Sequence, residues 1–291
     1  MPFYGRFDHL KAAVNSVLAQ DDPNWRLVVL DDVYPDLAPG QWVQSIDDAR
    51  VTYLRNEVNL RPSRNYNKAI GIAESEYLVM MGCDDVMLPG YVRRVHELLA
   101  EFPGADIVQP GVTVIDEDGA PSHPLADRVK GYYRPSGTGP RAYRGEVLAR
   151  SLLRGNWTYF PSLVWRRERL ADGGFRTDLD VVQDLAKLFE ITADGGTLVL
   201  DDAPVFTYRR HSKSVSAVTG PDGSKFLQEA TFFAEAEATA TRLGWKRAAR
   251  AARVHVSSRL NALSELPGAL RMRNADGRRN LTRHVLGLRR H

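Results

Sequence analysis

With 291 residues, 43% hydrophobic and 26% charged, the chain holds enough apolar content for one large core with an appendage or for two domains, so a disordered chain is not the default reading. Its single cysteine, Cys83, excludes an intramolecular disulfide and fits a reducing compartment, so a cytoplasmic protein is expected. The net charge of +3 hides an asymmetry: residues 241–291 carry 13 Lys and Arg against Glu265 and Asp276, or +11, which leaves 26 bases against 34 acids before them.

The first element is a helix in which Leu10, Val14, Val17 and Leu18 recur at helical spacing behind Asp8, a candidate N-cap. Residues 26–30 form a short apolar run that predicts a buried strand ending in Asp31 and Asp32, and 51–54 predicts another. Tyr66, Ala69, Ile70 and Ala73 make a helical stripe, followed by a strand over 77–81 and a helix over 89–102 with Pro89 at its first position. Further along, 106–115 predicts a strand, 145–154 a helix, 159–166 a strand and 181–193 a helix, with closing strands at 197–201 and 205–209. The segment 116–144, rich in Gly, Pro and Asp, is expected to be a long loop near the site. From Phe226 the chain is Ala- and Arg-rich and helical, with breaks expected at Pro267-Gly268 and Gly277.

Alternating strands and helices imply an α/β fold: a mainly parallel sheet with right-handed crossovers and helices on both faces. The expected division is a catalytic domain over 1–220 and a basic helical region over 221–291. No apolar run approaches the roughly 18 residues needed to span a bilayer. The basic end fits a solvated helical surface or an anionic membrane surface at the inner face of the membrane; nucleic acid, the third partner such charge admits, is not expected.

Open α/β sheets bind ligands beyond the carboxyl ends of their strands. Asp31-Asp32 and Asp84-Asp85 both follow apolar strand runs, so both pairs are expected at that crevice. Neither a G-x-G-x-x-G nor a P-loop pattern is present to cradle phosphate. A carboxylate-rich site repels a diphosphate unless Mg²⁺ or Mn²⁺ stands between them, so the inferred ligand is a metal-bound nucleotide diphosphate. Cys83 suggests a small buried residue at a strand end rather than a thiolate nucleophile.

Several stretches together resemble family 2 glycosyltransferases: Pro2-Phe3-Tyr4, the helix end Ser16-Val17-Leu18-Ala19-Gln20, the run from Trp25 to Asp32, and Gly82-Cys83-Asp84-Asp85-Val86-Met87-Leu88-Pro89. Asn59, Arg61, Arg64 and Asn65 match that family's donor-loop motif, and Gly173-Gly174-Phe175 through Gln183-Asp184 matches its Gly-Gly-Phe…Glu-Asp signature. The resemblance spans about residues 1–216 and implies the A-type glycosyltransferase fold. It implies that Tyr4 stacks on the nucleobase, that Asp32 and Arg61 contact the base, and that Arg64 belongs to the same donor-binding set. Asp84 would lie near the ribose or diphosphate and Asp85 would bind the metal. His211, in Tyr208-Arg209-Arg210-His211, would bind metal or diphosphate, with Arg209 and Arg210 as a diphosphate clamp or surface charge. Gly82 and Gln183 depart from the family's first Asp of D-x-D and from its Glu.

Glycosyl transfer needs a base for the acceptor proton and a cation for the departing diphosphate. Asp184, near a helix start after a loop, is the expected base. Asn156, Trp157 and Pro161 fall where an acceptor loop would be, and Trp157 is either a sugar-stacking ring or a core residue. The expected activity is inverting transfer from a nucleotide diphosphate sugar to a hydroxyl of a carbohydrate or glycolipid acceptor, in polysaccharide or glycolipid assembly. The alternatives are a sugar nucleotidyltransferase or an inactive scaffold binding anionic partners through its basic end. In the resembled family a first interior strand directly precedes the Pro-x-Tyr element, so the complete fold is expected to open upstream of Met1.

Overall fold

A computed structural model of the chain describes residues 1–210, 222–271 and 274–288. β1 (Pro2–Phe3), β2 (Leu27–Asp31) and β3 (Val51–Arg55) lie side by side in that order and run parallel, joined by α1 (Phe7–Leu18) and α2 (Ala38–Gln44). Leu10, Ala13, Val14 and Val17 of α1 are buried in one cluster with Leu27 and Val29 of β2, as their helical spacing requires. Asp8 is not the N-cap. Arg6 holds that position, and Asp8 sits in the first turn paired with it, where a carboxylate favours the helix dipole.

After α3 (Arg61–Ile72) the chain builds a second, mixed sheet. Its strands are β4 (Tyr77–Val79), β5 (Val86–Met87), β6 (Ile107–Ile115), β7 (Arg141–Arg144), β8 (Val164–Arg166) and β9 (Thr197–Arg209). The order is β4-β8-β6-β9-β5, with β7 also paired to β9. β6 and β9 are parallel, whereas β8 on β4 and β6, and β5 and β7 on β9, are antiparallel, so the first sheet is parallel and the second is mixed. The two expected closing strands are one. A register shift around Gly111 of β6 accommodates the polar residues Asp201 and Asp202, so β9 stays extended where its sequence suggested a turn.

α4 (Tyr91–Glu101) begins behind Gly90, so Pro89 precedes the helix rather than opening it. The expected long loop at 116–144 contains α5 (Leu125–Tyr133) and β7. What holds α5 is tertiary: Arg210 pairs with Asp127, and Lys130 donates to the Thr158 carbonyl at 2.5 Å. α6 (Gly145–Arg154) lies where expected; one 3₁₀ turn at Phe160–Ser162 replaces the first half of the strand expected over 159–166. α7 (Arg167–Ala171) and α8 (Gln183–Ala193) complete this part.

The principal core joins Leu148, Leu152 and Leu153 of α6 and Leu185, Leu188 and Phe189 of α8 to Trp157, Trp165 and Phe175. The same cluster includes Phe232, Phe233 and Ala236 of α9 (Ser224–Arg242) and Ala248, Ala249 and Ala252 of α10 (Lys246–Val254). A smaller cluster of Phe226, Ala262, Ala269 and Leu281 ties α11 (Val256–Arg271) and α12 (Ala275–Leu286) to α9. Pro267 does not break α11, and Gly277 lies in the first turn of α12, capped by Asn274. A breakpoint instead falls at His255, with φ of 27°. No helix among the described residues is long and apolar enough to cross a membrane.

Candidate active site

The first acidic pair is spent on structure. Asp31 is fully buried and bound to the Arg55 guanidinium and the Tyr53 hydroxyl, each at 2.5 Å. Asp32 accepts from Asn56 Nδ2 at 2.8 Å and from the backbone N–H groups of Leu60 and Arg61 at 2.7 and 2.9 Å. Both its oxygens therefore hold the loop that opens α3, and Arg61 enters that helix with a positive φ of 64°. The side chains of Arg61 and Arg64 are exposed. Tyr4 is exposed as well, its ring edge-on to Tyr34 at 5.6 Å.

The second pair is organised differently. Asp85 is buried and its Oδ1 accepts from the Arg209 N–H at 2.8 Å, while its buried Oδ2 has no hydrogen-bond partner among the described residues. Burial, and then the neighbouring Asp84 charge, push the Asp85 carboxyl well above its ordinary range. Asp84 Oδ1 and Asp85 Oδ2 both lie over the bare Cα of Gly82, where a Cβ would stand 2.8 Å from the Asp84 oxygen and strike that of Asp85. Glycine at this position is therefore what lets two carboxylates share the space. An orphaned carboxylate oxygen beside a second carboxylate suits a hard divalent cation such as Mg²⁺ or Mn²⁺, which takes oxygen ligands and leaves positions for phosphate oxygens. No group of three or more His, Cys, Asp or Glu able to hold a metal occurs among the described residues, so these two would need ligand oxygens to complete the shell.

Arg209 is no diphosphate clamp. It is buried, and its guanidinium donates to the carbonyls of Asp84, Asp116 and Glu117. Arg210 is bound to both oxygens of Asp127, at 2.9 and 2.8 Å, so neither arginine is surface charge. Burial alone would raise Asp127, but Arg210 outweighs it and holds the carboxyl below its ordinary range. His211 lies outside the described residues. Burial and the Asp84 charge push the Cys83 thiol up to about 12, which keeps it protonated and fits the structural reading of that residue.

Asp184 stands in the first turn of α8. Its Oδ2 accepts from Asn156 Nδ2 at 3.0 Å, and Asn156 is oriented in turn by Thr158, whose hydroxyl donates to Asn156 Oδ1 at 2.7 Å. Burial raises the Asp184 carboxyl above its ordinary range, against the lowering effect of the Leu185 N–H, Asn156 and Lys130. Tyr66 lies within electrostatic reach of both acidic groups: burial raises its hydroxyl, and the Asp184 and Asp84 charges add to it. Tyr208 is pushed up to about 12 by burial, with Asp85, Asp84 and Asp127 adding to it. Asp84 thus acts on both phenols, Asp184 on Tyr66 and Asp85 on Tyr208.

Trp157 does not face a sugar. It is buried and donates from Nε1 to Ser151 at 2.8 Å, which settles it as core. Gly173 and Gly174 both have positive φ, and the turn they make is clamped by Asn67, which accepts from the Phe175 N–H and donates to the Phe175 carbonyl. Gln183 is buried, with its Oε1 unpartnered among the described residues. Sequence reasoning missed Tyr66, Asn67, Asp127 and Lys130. Tyr66 was visible only as part of a helical stripe, and the α5 residues sit in a segment whose composition signals a loop.

The fold is shared with solved glycosyltransferases. Residues 1–349 of TarS from S. aureus, in complex with UDP-GlcNAc, superpose with a TM-score of 0.65 at 15% identity over 98% of this chain and 90% of that one. The mannosyltransferase PcManGT of Pyrobaculum calidifontis, in complex with GDP-Man and Mn²⁺, gives 0.64 at 16% identity over 98% and 84%. Among curated proteins, the succinoglycan biosynthesis protein ExoO of Rhizobium meliloti (strain 1021) is 28% identical over 217 residues, 74% of this chain and 61% of ExoO, so the chain spans about three fifths of that relative. The profile of Glycosyl transferase family 2 matches residues 1–158, more than half of the chain and a span that includes Asp32, Asp84 and Asp85. The chain belongs to glycosyl transferase family 2.

Proposed function

We propose that the chain is an inverting, metal-dependent glycosyltransferase of polysaccharide assembly, taking a sugar from a nucleotide diphosphate donor. The observation that carries this reading is Asp184: a carboxyl raised by burial, held by Asn156 at 3.0 Å, and near enough to Tyr66 that its charge, like that of Asp84, raises that hydroxyl. A carboxyl so raised is a better proton acceptor than an exposed one, which suits a general base for the acceptor hydroxyl. Attack by that hydroxyl on the anomeric carbon, from the face opposite the leaving diphosphate, forms the new glycosidic bond as the old one breaks, and the proton ends on Asp184.

Asp84 and Asp85 would hold Mg²⁺ or Mn²⁺, which supplies charge neutralisation for the departing diphosphate. Tyr4, exposed beside Tyr34, offers a face for the nucleobase. Arg61 and Arg64, exposed on α3, offer cations to the donor; Asp32 acts by holding the α3 loop through Leu60 and Arg61. The ligands named for TarS and PcManGT, UDP-GlcNAc and GDP-Man, support a nucleotide-sugar donor, and ExoO's succinoglycan supports a polysaccharide acceptor.

The test is hydrolysis and transfer with a panel of nucleotide sugars in the presence of Mn²⁺ or Mg²⁺. Asp184→Asn should keep donor binding, measured by calorimetry, and lose about 10²- to 10⁴-fold in turnover. Turnover near wild type removes Asp184 from the mechanism.

A further inference from the structure

The packed side of α11 consists of small residues. Ser258, Ala262 and Ala269 are buried against its neighbours, and Leu266 is half-buried. The opposite side carries Val256, Leu260, Leu263 and Leu270, which are between 46% and 58% exposed. At about 100° per residue these four, with exposed Pro267 among them, fall in one stripe about 80° wide along the helix. An amphipathic helix in a globular domain turns such a stripe toward the core; this one turns it toward water.

The charged residues that border the stripe on α11 are basic. Arg259 lies on one border and exposed Arg271 on the other, while Glu265, the helix's acid, sits about 180° from Val256. The Arg259 guanidinium fills the space beside Gly287, which places the exposed Leu286 and Leu288 next to that border. α12, which packs on α11, adds exposed Arg278 and Arg279, beside exposed Asp276.

We propose that α11 is an interfacial helix whose apolar stripe inserts into an anionic lipid surface, with the surrounding arginines on the headgroups. A row of exposed leucines bordered by arginine matches what such a surface offers, a hydrocarbon boundary beneath negative charge. Nucleic acid would use the arginines and leave the leucines in water. The inference stands apart from the catalytic reading, because none of these residues lies in the candidate active site.

The experiment is co-sedimentation of the full chain with vesicles of phosphatidylcholine alone and of phosphatidylcholine mixed with phosphatidylglycerol. Binding is expected to the mixed vesicles only and to weaken as salt rises. The double variant Leu260→Asp, Leu263→Asp should lose binding by about tenfold or more while keeping the wild-type melting temperature, since both side chains are exposed. If that variant folds poorly, Leu260→Ser with Leu263→Ser serves the same purpose. Equal binding to both vesicle types, or binding unchanged by the stripe variants, overturns the proposal. So does a wild-type dimer that ignores vesicles and that the variants dissociate, or binding to duplex DNA without binding to vesicles.

Discussion

At the residue scale, the site depends on how Asp184 is held. Its raised carboxyl must be deprotonated to act as a base, so turnover falls as pH drops through its pKa, and burial moves that acid limb above the ordinary carboxylate range of about 4. Asn156 donates to the carboxylate and favours its charged form. Removing the donor in Asn156→Ala should therefore shift the acid limb of kcat/KM to higher pH, with donor binding unchanged. A profile with the limb unmoved or shifted downward shows that Asn156 does not act through Asp184. Asp32 teaches the opposite lesson: a carboxylate at a strand end, expected on the base, spends its oxygens on the amides of its own chain.

At the scale of elements, a buried polar network joins three helices of the C-terminal part. Ser258 of α11 donates to Glu229 of α9 and meets His284 Nε2 of α12 at 2.5 Å. Burial, aided by nearby positive charge, lowers His284 to about 4, so the imidazole is neutral at physiological pH. Ser258→Ala leaves two buried polar groups without their shared partner and should cost about 1–3 kcal/mol, read from denaturant unfolding. An unchanged midpoint would mean that Glu229 and His284 find each other or water. α5 also belongs at this scale, because a segment with a loop's composition becomes a helix through Asp127–Arg210 and Lys130–Thr158, contacts that join residues far apart in the chain.

At the scale of the whole molecule, the expected division at residue 220 cuts through one core. Phe232, Phe233 and the alanines of α10 pack in the same cluster as the leucines of α6 and α8. The full chain should therefore melt in a single cooperative transition by calorimetry, and a chain ending at residue 221 should be markedly less stable because its leucines on α6 and α8 lose their cover. Two separate transitions, with the shortened chain as stable as the full one, would make the helical region an independent unit.

The sequence by itself determined the alternation of α1, β2, β3, α3, β4 and α4, though not β1, α2 or β5, together with the bounds of α6, the placement of Asp84 and Asp85 after a strand and of Asp184 at a helix start, and the basic character of the C-terminal helices. Those follow from local periodicity, from short apolar runs and from motif spacing, all carried by neighbouring residues. Tertiary structure alone decided that β9 is continuous and that Arg209 and Arg210 are internal struts. It also decided that Trp157 is core and that α11 turns its leucines outward. Each of these depends on a partner tens of residues away: Gly111 for β9, Asp127 for Arg210, the α8 side chains for Trp157, α9 and α12 for α11. A stripe of leucines at helical spacing has the same sequence signature whether it faces a core or water, and only the packing of the opposite face distinguishes the two.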